Sequence, residues 1–281
     1  MGEKGRRGRR ILVSSMKRLE GAGYDTDKLS VDHLRNYETY FAPLVDKEVK
    51  LLELGVLKGG SLLMWRDFFE KGTIVGLDLN PLSLEDQTGR IRVYQGFQDD
   101  TALLDRIARE NAPEGFDVII DDCSHIGEPT RISFWRLFRN HLKPGGIYAI
   151  EDWGTGYWDS WPDGKRYSPA RHPSLYYRLA SALARLMSGA RGEGLGARWA
   201  RELRRVGFQW IRFGCRPRQR FRSHDYGMVG FVKQLIDEAG MGDITDPKLG
   251  RGAHRPSLFR SIHVSHGHAI IVKSGGLVRD S

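Results

Sequence analysis

From Val49 onward the sequence alternates short apolar runs with amphipathic stretches of helical length, and nothing else in it constrains the fold as strongly. VKLLELG, TIVGLDL, RIRVYQG, FDVIIDD and GGIYAIED each carry enough aliphatic residues for one buried strand. Between them lie SLLMWRDFFEKG, DDTALLDRIARENA and IGEPTRISFWRLFRNHLKPGG, whose apolar residues recur at helical spacing. Strands separated by helices of this length lie parallel, because each crossover carries the chain back to the same end of the sheet. Further on, YGMVGFVKQLIDEAG is an amphipathic helix, and SIHVSHGHAIIVKS reads as two strands joined by a tight His-Gly turn. The expected architecture is therefore α/β: a doubly wound, Rossmann-like, seven-stranded sheet ending in an antiparallel hairpin.

Four segments follow. Residues 1–48 form a basic arm and a helical segment, in which YDTDKLSVDHLRNYETYFAPLV is capped by Ser30 or Asp32 and sets Leu34, Tyr37 and Phe41 on one face. Residues 49–158 form the core, 159–224 an Arg-rich helical insertion, and 225–281 the rest of the core. Charge marks the insertion. Between Arg166 and His224 stand fourteen arginines, no lysine, and only Glu193 and Glu202 as acids. That stretch is net +12 within a chain of net +9, which leaves the remainder at −3. Leu175, Leu179, Leu183 and Leu186 share one stripe of its first helix, and Arg171, Arg178 and Arg185 another. A solvated lid is the reading preferred over a face lying on an anionic membrane.

No apolar run approaches the roughly 20 residues needed to span a bilayer, and the basic start lacks the apolar core of a signal peptide. Two distant cysteines, Cys123 and Cys215, make no disulfide framework, so both are expected reduced and the protein cytoplasmic. Acidic neighbours disfavour a thiolate at Cys123, which reads as a small buried residue.

Function is read from the strand ends. In LLELGVLKGGSLLMW a strand ends at Glu53, and Gly55, Gly59 and Gly60 lead into a helix beginning near Ser61. The glycines let backbone approach a ligand, and the helix start offers unpaired amides. The spacing is not the G-x-G-x-x-G of dinucleotide binders. Asp78 ends the next strand, placed to accept both ribose hydroxyls of an adenosine. An adenosine without a pyrophosphate points to S-adenosylmethionine. After the third strand, Gln98, Asp99 or Asp100 is placed to hydrogen-bond the adenine, with helix capping an equal reading for Asp100.

FDVIIDDCSHIGE then sets Asp121, Asp122 and His125 at the fourth strand's end, and Glu151 and Asp152 end the fifth. Neighbouring strands would bring Asp122, Glu151 and Asp152 to one point. Hard oxygen ligands favour Mg2+ over Zn2+, and the cation would offset repulsion among the acids. Separately, each acid could cap a helix and the histidine could be an ordinary surface group; their coincidence on adjacent tips carries the reading.

Together, ELGVLKGGSLLMW, GLDLN, GFQDD, IDDCSHIGE and AIEDW resemble the Mg2+-dependent sugar O-methyltransferases of macrolide deoxysugars, whose motifs cephalosporin hydroxylase-type proteins share. The likeness covers residues 25–158, and YGMVGFVKQLIDE and HVSHGHAIIVK match again near the end. It implies Asp122, Glu151 and Asp152 as metal ligands, His125 as general base, and a sugar hydroxyl on a glycosylated metabolite or glycolipid as acceptor. It also implies a homo-oligomer, and an N-terminal segment, Thr26 to Lys28 with His33 and Tyr37, closing over cofactor or substrate. The family often has an aspartate where Phe97 stands, so adenine contact there becomes stacking. The Arg-rich insertion has no counterpart. Nucleic acid is disfavoured as a partner, since the acidic site repels phosphates and no nucleic-acid module is present.

Overall fold

The computed structural model describes residues 19, 22–29, 36, 37, 39–165, 224–241 and 256–275. Two units separate, Met1–Tyr167 with Asp225–Ser281, and Ser168–His224. Apart from His224, the second unit lies outside the described residues, and with it the leucine and arginine stripes, Cys215 and the membrane-contact reading. Ser30, Asp32, His33 and Leu34 lie outside them too.

The first unit is built on seven strands: β1 (Lys50–Leu54), β2 (Thr73–Asp78), β3 (Ile91–Gln95), β4 (Phe116–Asp121), β5 (Leu142–Glu151), β6 (Phe259–Val264) and β7 (His268–Lys273). They lie in the order β3-β2-β1-β4-β5-β7-β6. The first five are mutually parallel, and β7 and β6 complete the sheet antiparallel, as the alternation and the closing hairpin predict. Central β1, β2 and β4 are buried on both faces, whereas edge strands β3 and β6 are largely exposed or half-buried. One boundary differs from expectation. β5 begins at Leu142, before the Lys-Pro-Gly-Gly turn, and the register against β4 shifts between Phe116 and Val118. The glycines are absorbed as an irregularity inside the strand, with Gly145 at φ 75°.

Helices cover both faces: α1 (Gly60–Phe68), α2 (Thr101–Asn111), α3 (Gly127–Asn140) and α4 (Gly227–Gly240). α2, α3 and α4 bury Leu104, Phe134, Phe138 and Phe231 against Leu52, Ile119 and Tyr148 of the sheet. On the other face α1 and helical residues 36, 37 and 39–41 form an aromatic cluster. Tyr37 stacks on Phe41 at 4.6 Å, and both meet Trp65 edge-on. This packing ties the segment before β1 to the core, and residues 22–29 leave it as turns running toward the strand tips. Among the described residues no helix is long and apolar enough to cross a membrane.

Candidate active site

The order reversal between β1 and β4 opens a crevice at the carboxyl ends of the strands, where open α/β sheets bind ligands. Three non-glycine residues among those described have positive φ, and all lie there: Leu57 at 46°, His125 at 51° and Asp152 at 51°. Such geometry costs on the order of 1–3 kcal/mol per residue and persists only where neighbours impose it. They do here. The His125 carbonyl accepts from Thr155 Oγ1 at 3.2 Å and Trp161 Nε1 at 3.1 Å. Asp152 donates its N–H to the Gly267 carbonyl at 2.6 Å, in the turn between β6 and β7, and Trp153 Nε1 donates to Ser265 O at 2.9 Å. The closing hairpin therefore braces Asp152 from across the sheet.

Ligand atoms of Asp122, His125 and Asp152 all lie within 4.8 Å of one another. His125 Nε2 is 3.8 Å from Asp122 Oδ1, and its Nδ1 is buried with no hydrogen-bond partner among the described residues. Burial holds the imidazole below its ordinary pKa, against the pull of Asp152 and Glu151. The two carboxylates supply hard oxygen ligands that suit a divalent cation such as Mg2+, with the imidazole beside them.

Glu151 differs from its expected place in that group. It is 1% exposed and sits beneath it, accepting from Lys28 Nζ at 2.8 Å through Oε2 and from Tyr37 Oη at 2.6 Å through Oε1. Lys28 Nζ also lies 2.6 Å from Asp122 Oδ2 and 3.4 Å from Glu53 Oε1. Lys28 thus places a positive charge of the chain's own among these acids, where the sequence reading named only a metal. Burial would lower the Lys28 pKa, but Glu151, Glu53 and Asp122 together hold it well above the usual value. Glu151, despite burial, is held below the usual carboxylate range by Lys28 and Tyr37, while Asp122 is pushed well above it by burial and by the Glu151 charge.

The residues expected at the cofactor divide. Asp78 ends β2, with Oδ2 accepting from the N–H groups of Val56 and Leu57 at 2.9 and 3.0 Å and Oδ1 from Asn80 N at 2.9 Å. Around it, Leu57, Leu79 and Phe97 are 85%, 49% and 63% exposed, an apolar rim at the ends of β1, β2 and β3. Asp99 is exposed beside Phe97, whereas Asp100 caps α2, accepting from Ala102 N and Leu103 N. Gln98, Asp121, Glu53 and Ser61 depart from their expected roles, because burial spends their polar atoms inside the protein. Gln98 donates to Asp121 and accepts from Ser124 N at 3.0 Å. Asp121 also accepts from Ser133 Oγ and Tyr148 Oη, and burial raises its pKa to about 6. Under the strand tips, Glu53 accepts from Ser61 Oγ at 2.7 Å and from Trp65 Nε1 at 3.3 Å.

The glycines likewise admit protein before ligand. A Cβ on Gly55, at φ 80°, would collide with the Asp122 carbonyl, and one on Gly60 with the Asp25 carbonyl. Gly59, at φ 84°, faces the Leu82 and Leu84 side chains. Cys123 is pushed up to about 12 by burial, then by Asp121, consistent with an inert thiol. Lys28 and His268 were not foreseen as parts of the acid cluster. His268 is buried, lies opposite Glu151 in the β5–β7 register and meets Asn36 Nδ2 at 2.9 Å.

No protein-family model matches the chain. It is 46% identical over 130 residues, 44% of its length, to mycinamicin VI 2''-O-methyltransferase of Micromonospora griseorubida, and 42% identical over 130 residues to demethylmacrocin O-methyltransferase of Streptomyces fradiae. Its similarity is to macrolide O-methyltransferases. Each alignment covers 32% of the relative's length, so the chain spans about a third of the curated relatives it matches. Over the whole fold it resembles MycE methyltransferase from the mycinamycin biosynthetic pathway, solved in complex with Mg and SAH. TM-score is 0.60 and identity 29%, with 94% of this chain and 54% of that one covered. A MycE complex that also contains mycinamycin VI aligns with a TM-score of 0.56 and 29% identity, covering 96% of this chain and 57% of that one.

Proposed function

We propose that the protein is an S-adenosylmethionine-dependent O-methyltransferase that methylates a sugar hydroxyl of a glycosylated small molecule with the help of Mg2+. The observation that carries this reading is the convergence of Asp122, His125 and Asp152 beside the β1–β2 tips, in a chain similar to enzymes of that activity. Asp78 and the rim of Leu57, Leu79 and Phe97 take the adenosine, with ribose on the carboxylate and adenine against Phe97. Asp122 and Asp152 would hold the metal, with Glu151, now bonded to Lys28, beneath them. Bound Mg2+ lowers the pKa of a coordinated hydroxyl and fixes its direction. His125, neutral at physiological pH, takes the hydroxyl proton as attack on the sulfonium methyl proceeds. Its backbone, at φ 51°, is held by Thr155 and Trp161, and its Nε2 stands 3.8 Å from Asp122 Oδ1. Vicinal hydroxyls, as on a deoxysugar, suit such a site. Residues 159–224, which have no counterpart in the resemblance, are the segment to which the choice of acceptor is assigned. The reduced Cys123 fits a cytoplasmic enzyme.

The test is calorimetric titration of S-adenosylhomocysteine and of Mg2+ into metal-stripped protein, wild type and Asp122→Ala. Nucleoside binding by both, with an Mg2+ isotherm lost in the variant, is the expected result. Absence of nucleoside binding would sink the proposal.

A further inference from the structure

Lys28 is the least expected group in the acid cluster. An ammonium has three N–H donors, and this one faces three carboxylates, at 2.6 Å from Asp122, 2.8 Å from Glu151 and 3.4 Å from Glu53. It is 1% exposed. Its placement is fixed from both sides. Upstream, Tyr24 Oη donates to Asp67 at 2.7 Å, and the Asp25 carbonyl lies against Gly60 at the start of α1. Downstream, Tyr37 is packed into the aromatic cluster and holds the second oxygen of Glu151. The N-terminal segment thus delivers one cation to the carboxylates that a divalent ion at Asp122, His125 and Asp152 would draw upon.

We infer that Lys28 is a resident cation that competes with the divalent metal for Asp122 and Glu151 and so sets how tightly that metal binds. The inference rests on the metal reading above. Before metal arrives, the ammonium keeps buried Glu53 and Glu151 and partly buried Asp122 compatible with a folded site. With metal bound, Asp122 would be shared with Lys28 and Glu151 would loosen its bond to the ammonium. A cation this close to a divalent ion weakens its binding well beyond tenfold at an effective dielectric of about 20. Retention by the metal is thereby moderated without changing the ligands.

Mg2+ affinity of full-length Lys28→Met and Lys28→Gln, measured by calorimetry, tests this. The glutamine keeps N–H donors while removing the charge. Both variants should bind Mg2+ at least tenfold more tightly than wild type, and both should melt lower without metal and gain more from saturating Mg2+. Unaltered or weaker affinity in the variants, with wild type still binding Mg2+, overturns the inference and leaves the metal reading standing. Absence of Mg2+ binding to wild type removes both. In wild type itself, reductive methylation of Lys28, followed by mass spectrometry, should accelerate on adding Mg2+. An unchanged rate also overturns the inference, whatever the variants' folding.

Discussion

Tyr37→Phe isolates the support beneath the acid site. Tyr37 is 1% exposed and donates to Glu151 Oε1 at 2.6 Å, while its ring stacks on Phe41 at 4.6 Å and meets Trp65 and His268 edge-on at 5.9 and 5.2 Å. Phenylalanine keeps every ring contact and removes one hydroxyl, so the change reads a single hydrogen bond. That bond is made to a buried carboxylate, a class worth about 1.5–3 kcal/mol. Lys28 remains on the other oxygen and prevents Glu151 from being left without a partner, which places the expected loss at about 2 kcal/mol. Urea unfolding at pH 7 should show a lowered midpoint with an unchanged slope, since the surface exposed on unfolding is the same. Tyr40→Phe is the control, being half-buried with no hydrogen bond from its hydroxyl to a described residue, and should fall within about 0.5 kcal/mol of wild type. Equal midpoints for Tyr37→Phe and wild type would show that the Glu151–Tyr37 bond adds nothing to the Lys28 pair, and the two-donor account of Glu151 would be wrong.

Gly55→Ala should destabilise by about 2–4 kcal/mol in the same assay, combining positive φ with a Cβ driven into the Asp122 carbonyl; a loss below about 1 kcal/mol would contradict the packing at the β1 tip. Asp121 titrates near 6 in the folded state, above its ordinary 3.8, so the folded protein binds that proton more tightly than the unfolded chain. Its contribution therefore grows as pH falls through 6 and levels off below 3.8 at about 3 kcal/mol, and wild type should gain about 2 kcal/mol of that on Asp121→Asn between pH 7 and pH 4. Parallel profiles would refute the raised value. His125→Ala should keep S-adenosylhomocysteine affinity within about threefold and lose activity by about 100-fold or more, as measured on a panel of deoxysugar glycosides. Full turnover would remove the histidine from proton transfer.

Sheet, strand identities and closing hairpin were legible because each depends on local pattern: aliphatic runs of strand length, helical periodicity between them, and a His-Gly turn with Gly267 at φ 79°. The convergence of Asp122, His125 and Asp152 was legible because the segments that follow neighbouring parallel strands leave the sheet at the same end. What failed was the assumption that every polar group near that crevice faces it. Asp121 and Asp122 are adjacent, so their side chains leave β4 in opposite directions; one enters the cluster with Lys28, the other packs against Gln98, Ser133 and Tyr148. The alternation could have been applied to that pair. Glu53 belongs to the same case, its strand position placing it beneath the crevice, where Ser61 and Trp65 reach it.

Lys28 could not be found by pattern, because it comes from a segment with no regular periodicity and meets acids 94 and 123 residues away. Electrostatics offered the one available signal. Four acids, Glu53, Asp122, Glu151 and Asp152, end three adjacent strands, and Glu53 and Glu151 are almost wholly inside the protein. A metal at the outer rim offsets the exposed pair of that group but leaves the inner pair with an unscreened repulsion, which a fold of ordinary stability does not tolerate. Two layers of carboxylate therefore call for two cations. The outer one can come and go with solvent, whereas the inner one has to be carried by the chain, and a lysine on the N-terminal segment satisfies that need while tying the segment to the site it covers.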